Sequence, residues 1–128
     1  MRTVLLVLSM AAAGCSRTEP TSKRDPATTT KPTQDPAAAR KLIDSGAIVL
    51  DVRTADEFAA EHLPNATNIP VDKVAEQLAQ VDKLAGGDKS KPIVVYCAAG
   101  ARSAKAKQTL ESAGYTRVVN GGGLDDLR

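Results

Sequence analysis

The chain has 128 residues, a formal net charge of +2 and three aromatic side chains, Phe58, Tyr96 and Tyr115. That length allows one small domain, and the weak charge and scarcity of stacking rings exclude a nucleic-acid-binding face. Hydrophobic residues make up 42% of the chain, mostly Ala, Val and Leu, so the core must come from aliphatic contacts between a sheet and helices.

Arg2 precedes an apolar run, Thr3-Val-Leu-Leu-Val-Leu-Ser-Met10. The run is far shorter than the roughly 20 residues of a membrane-spanning helix and reads as an export signal. Ala11-Ala-Ala-Gly-Cys15 resembles the cleavage box of bacterial lipoproteins, in which the Cys becomes the lipidated first residue. Ala12 stands where that box prefers Leu, and an ordinary signal peptide cut elsewhere is the alternative. The expectation is a lipoprotein-type signal peptide over 1–14, lipidation at Cys15 and a membrane-anchored periplasmic protein. Ser16 leans the sorting toward the outer membrane. Residues 15–34 carry no large apolar side chain and are interrupted by Pro20, Pro26 and Pro32. Such a stretch cannot offset its ordering entropy by burial, so it reads as a disordered tether.

A single α/β domain is expected over 35–128. Asp35-Pro36 is an N-cap followed by a proline at the first helical position. Ala39, Leu42 and Ile43 share one face of that helix, and Gly46 suits its end. Ala47–Val52 is a near-continuous apolar run, as for a strand covered on both faces. Thr54-Ala-Asp-Glu57 is a capping box that opens a short helix. Ala66–Ile69 reads as a short strand. Asp72 reads as the cap of a helix with Val74, Leu78 and Val81 on one face, and Gly86–Ser90 as a loop. Ile93–Tyr96 is β-branched and aromatic, and reads as a central strand. Arg102–Ala113 reads as a helix ending at Gly114, Arg117–Asn120 as a last strand, and Gly121-Gly-Gly123 as a turn. Strands alternating with helices imply a mostly parallel sheet with helices on both faces.

Cys97 falls where the central strand stops and a helix starts, in Tyr96-Cys-Ala-Ala-Gly-Ala-Arg-Ser103. Small residues there let backbone N–H groups crowd around one sulfur, with a helix N-terminus behind them. A thiol in that setting ionises more readily than a free one. If Cys15 carries lipid, Cys97 is the only remaining thiol, because the chain has two Cys. Strand C-terminal ends are where open α/β sheets hold ligands, and Asp51, Arg53 and the glycines 121–123 follow two other such ends.

Three blocks in the same order, Val49–Phe58, Glu61–Pro70 and Ile93–Ser103, resemble the rhodanese (sulfurtransferase) domain. The ending Gly114–Leu124, with a triple glycine and no tryptophan, looks most like the small periplasmic rhodaneses of the phage-shock type. The resemblance implies that Cys97 takes a sulfane sulfur from thiosulfate or a similar anionic donor as a persulfide and passes it to cyanide or a thiol. No cofactor or metal is implied, and a monomer is expected. Ala98, Ala99, Gly100, Ala101, Arg102 and Ser103 would bind the substrate, with backbone amides stabilising the anions. Four residues separate Cys97 from Arg102, whereas related phosphatases and arsenate reductases place five there, so those activities rank lower. Ala98 and Ala99 replace the polar or cationic residues of many thiosulfate-using members, and a non-catalytic persulfide carrier or thiol-binding module is the alternative. Arg102 begins a helix, where a cation costs a few tenths to about 1 kcal/mol; a bound anion would offset that cost. Glu57 reads as the capping partner of Thr54, Asp51 and Arg53 as a pair bracing the rim, and His62 as structural rather than a partner of Cys97.

Overall fold

Asp35 caps the first helix: its Oδ1 accepts a hydrogen bond of 2.9 Å from the Ala38 N–H. The computed structural model in which this is seen describes residues 33–128; the expected signal peptide, Cys15 and all but the end of the tether lie outside the described residues. In chain order the elements are α1 (Pro36–Asp44), β1 (Ile48–Asp51), α2 (Ala55–Ala60), β2 (Thr67–Asn68), a 3-10 turn (Val71–Lys73), α3 (Leu78–Ala85), β3 (Ile93–Cys97), α4 (Ala101–Ser112), β4 (Val118–Gly123) and a closing 3-10 turn (Leu124–Leu127). All strand pairs are parallel, in the order β2-β1-β3-β4. This is the α/β architecture the alternating pattern implies.

Because side chains alternate across a strand, β1 and β3 feed two cores. Leu50, Val52, Ile93 and Val95 pack with Val81 and Ala85 of α3 and with Ala106 and Leu110 of α4. Val49, Val94 and Tyr96 face the other way, against Ala39 of α1 and against Leu124 and Leu127. Both β1 and β3 are therefore shielded on both sides, which is why they read as apolar runs. Their C-terminal ends emerge together, Asp51 beside Tyr96 in register.

Two expectations are corrected. The helix expected from Asp72 is split into the 3-10 turn at 71–73, a turn and α3, and Asp72 makes no capping hydrogen bond. Val71 N–H is tied to the Val52 carbonyl (3.1 Å) and Val74 is fully buried. A three-residue spacing brings both valines to one side, which 3-10 geometry satisfies and an α-helix does less well. The second correction concerns Gly121–Gly123, which continue β4 instead of turning the chain. Gly123 pairs with Cys97 across a register irregularity between Val95 and Cys97. A Cβ on Gly123 would lie 2.4 Å from the Ala98 carbonyl oxygen, so the absence of a side chain lets β4 run directly beneath the segment that follows Cys97.

Candidate active site

Cys97 is the last residue of β3 and is 1% exposed. The chain then turns through exposed Ala98 and Ala99 to Gly100, whose φ of +93° favours glycine. This left-handed step aims the Gly100 N–H back at the Cys97 Sγ, 2.9 Å away. Ser103, in the first turn of α4, places its Oγ 3.6 Å from the same sulfur. Burial pushes the Cys97 thiol up; the Ser103 hydroxyl and the amides of Ser103, Ala99 and Gly100 pull it down further, leaving it below an ordinary thiol. Of the amides expected to crowd the sulfur, the Gly100 N–H is the one hydrogen-bonded to it among the described residues. Ala98 is exposed, and Ala101 and Arg102 are the first residues of α4.

The Ser103 hydroxyl has one proton and three neighbours able to accept it. Asn120 Oδ1 is at 2.6 Å, the Gly100 carbonyl at 2.9 Å and Cys97 Sγ at 3.6 Å. Asn120, 2% exposed on β4, also donates from Nδ2 to the Gly100 carbonyl (3.1 Å) and accepts the Gly122 N–H (3.0 Å). A buried amide with three partners therefore braces Gly100, the residue whose N–H faces the sulfur. The sequence reading missed this role; its signal was a lone amide closing an otherwise apolar strand.

Arg102 is placed differently from the expectation of a cation awaiting substrate. Its Nη1 and Nη2 donate to the two carboxylate oxygens of Glu57, at 2.7 and 3.0 Å. The electrostatic cost of a cation at the start of α4 is thus offset within the protein. Glu57 also completes the capping box, accepting the Thr54 N–H at 2.9 Å and the Thr54 hydroxyl at 3.0 Å. The Arg102 hydrogen bond first, and those from Thr54 after it, hold the Glu57 carboxyl down at about 2. Capping was legible from four adjacent residues; the partner 45 positions away was not.

Asp51 and Arg53 form the expected rim pair, with Arg53 Nη2 donating to Asp51 Oδ2 at 2.7 Å and the Arg53 N–H donating to Oδ1 at 2.9 Å. The guanidinium also donates to the Glu61 carbonyl, so it is spent on structure. His62 is exposed, stacked on Phe58 at a centroid distance of 3.9 Å, with Nδ1 2.8 Å from the Phe58 carbonyl; it braces the end of α2. One contact comes from ahead of the expected domain start. Gln34 Nε2 donates to the Ala99 carbonyl at 2.8 Å, and its amide fills the space that a Cβ at Gly100 or Gly122 would need. No sequence signal marked it. Among the described residues, no cluster of His, Cys, Asp or Glu could hold a metal ion.

Fold and site together define a parallel α/β domain that carries, among the described residues, one buried, amide-supported thiol on a six-residue loop from Cys97 to Arg102. The model of the rhodanese-like domain matches residues 35–126, and the chain belongs to that family. It is 42% identical over 78 residues to the thiosulfate sulfurtransferase PspE of Escherichia coli (strain K12), an alignment covering 61% of this chain and 71% of that protein. It is 33% identical over 89 residues to a tRNA uridine(34) hydroxylase of Enterobacter sp. (strain 638), covering 68% of this chain but 26% of that larger protein. Among solved structures, the human single-domain sulfurtransferase TSTD1 superposes with a TM-score of 0.58 at 33% identity, covering 71% of this chain and 90% of that one.

Proposed function

We propose that this protein is a sulfurtransferase whose Cys97 carries the sulfur. The observation that carries the reading is the Gly100 N–H held 2.9 Å from a thiol kept below its ordinary pKa. With thiosulfate as donor, the Cys97 thiolate attacks the outer sulfur. The S–S bond of the donor breaks, sulfite leaves with the bonding pair, and a cysteine persulfide anion remains. Cyanide or a thiolate acceptor then attacks the terminal sulfur and regenerates the Cys97 thiolate. No net electron is gained or lost by the protein, so this covalent catalysis runs on one nucleophile and a preorganised set of donors. Sulfurtransferase relatives that align over most of their length support the chemistry. The four-residue spacing between Cys97 and Arg102 favours a single sulfur over a phosphate or arsenate group.

Incubating the purified protein with thiosulfate should add one sulfur to the peptide containing Cys97, read by mass spectrometry. Thiocyanate should form on adding cyanide and be lost in Cys97→Ser. An unmodified Cys97 peptide with every sulfane donor tried would overturn the reading. A second reading, a persulfide carrier without steady turnover, draws on Arg102 being occupied by Glu57. It predicts stoichiometric sulfur uptake followed by negligible thiocyanate release.

Export and lipid anchoring at Cys15 belong to the same proposal. They are supported by the Arg2–Cys15 segment, and detergent-phase partitioning that survives Cys15→Ala would refute the anchor.

A further inference from the structure

Arg102 is the one cation in the loop from Cys97 to Ser103, and its end-on hydrogen-bonding edge is taken by a carboxylate of the protein itself. Glu57 is not a side chain that swings freely. Four donors hold it: the Thr54 N–H, the Thr54 hydroxyl and the two Arg102 nitrogens, all between 2.7 and 3.0 Å. The pair remains partly exposed, 35% for the Arg102 side chain and 37% for Glu57, and Arg102 lies within electrostatic reach of Cys97: its pKa is raised first by Glu57 and further by Cys97. The two alanines after Cys97 add no charge. The second guanidinium near the rim, Arg53, is 7% exposed and paired with Asp51. An anion approaching the sulfur therefore meets no unpaired cation among these groups, because Glu57 cancels the charge of Arg102 and Asp51 that of Arg53.

We propose that Glu57 is a specificity-determining residue: a fixed counter-anion on Arg102 that selects against dianionic sulfur donors in favour of those bearing one negative charge or none. The inference rests on the sulfur-transfer reading for its substrate class, but the charge filter itself does not need turnover. The work against a fixed charge scales with the charge of the approaching molecule. Screened as in bulk water, where the interaction is weakest, neutralising Glu57 should favour a monoanion by about 2-fold or more and a dianion by the square of that factor. A monoanionic thiosulfonate should thus be a better donor than thiosulfate relative to what a site with a free arginine would show.

Glu57→Gln is the discriminating variant, because glutamine serves the capping box as glutamate does while removing the charge. Alkylation of Cys97 by iodoacetate and by iodoacetamide compares an anion with a neutral molecule of nearly the same shape. Their rate ratio cancels the thiolate fraction, so it reads the potential at the sulfur. The ratio should rise about 2-fold or more in Glu57→Gln and stay at the wild-type value in Glu57→Asp, which keeps the charge but disturbs the cap. In steady state, the KM for thiosulfate should fall more than that for methanethiosulfonate. A ratio unchanged in Glu57→Gln, or raised equally in Glu57→Asp, overturns the filter. If the ratio moves as expected but no donor yields thiocyanate or a persulfide, the filter stands and the sulfur-transfer reading is what fails.

Discussion

Replacing Asn120 with Ala removes the buried amide that joins β4 to the loop around Cys97. Three hydrogen bonds go with it: from Ser103 Oγ at 2.6 Å, from the Gly122 N–H at 3.0 Å and to the Gly100 carbonyl at 3.1 Å. Their loss is uneven. The Ser103 hydroxyl still reaches the Gly100 carbonyl at 2.9 Å, and that carbonyl keeps the Ala104 N–H at 3.0 Å. The Gly122 N–H, on a buried residue, loses its partner outright. An orphaned buried donor costs about 1–3 kcal/mol and each of the two exchanged bonds about 0.5–1.5 kcal/mol, so about 2–6 kcal/mol of stability should disappear. The Gly100 peptide, less firmly held, should support the thiolate less well. Urea denaturation measures the first effect, and the pH midpoint of iodoacetamide alkylation measures the second, moving upward. A loss under about 0.5 kcal/mol with an unmoved midpoint would show that Asn120 is filler and that the loop stands without it.

Gly100→Ala should cost about 1–2 kcal/mol for a left-handed alanine, plus the clash of its Cβ with Gln34 Nε2, which would stand 1.7 Å away; adding Gln34→Ala should restore part of the loss in a thermal melt, and strict additivity would refute the contact. Removing Arg53 as Arg53→Met strands Asp51, which is 0% exposed, and should destabilise by about 3–5 kcal/mol as broken buried pairs do, checked by urea denaturation; a loss below about 1 kcal/mol would show the rim pair to be dispensable. The pH dependence of stability has a fixed sign. The Cys97 thiol lies below its ordinary value in the fold, so its contribution is full above the unfolded thiol value of about 8.5 and is lost as pH falls through the folded value. The stability difference between wild type and Cys97→Ser should therefore grow from neutral pH to about pH 9; a flat or falling difference would contradict a stabilised thiolate.

Local patterns carried much of the fold into the sequence. Thr54-Ala-Asp-Glu57 announces its capping box in four residues, and the apolar runs of β1 and β3 announce strands shielded on both sides. Gly46, with φ of +89°, closes α1 where expected. Cys97 was legible as the thiol because its strand and helix neighbours each carry their own signal. What escaped depends on residues far apart in the chain. The pairing of Glu57 with Arg102 and the bracing of Ser103 by Asn120 require knowing that α2, α4 and β4 meet at one rim. The triple glycine read as a turn because conformational freedom is the commoner reason for glycine; here the governing fact is how closely β4 passes the Ala98 carbonyl. The 71–77 segment kept its apolar side but not its helix, since the burial of Val71 and Val74 outweighed the cap expected of Asp72.

Gln34, just ahead of the family-matched region, donates to the carbonyl of Ala99, and Asp35 N–H is bound to the Asn120 carbonyl at 2.9 Å. A recombinant fragment cut at the family boundary would begin at Asp35 and would lack that glutamine, with a charged amino terminus placed against the strand that floors the thiol. Alkylation of Cys97 in such a fragment would report a thiol whose loop has lost one of its hydrogen bonds. With Gln34 present, any pull on the leading segment would reach the Cys97 sulfur through two hydrogen bonds.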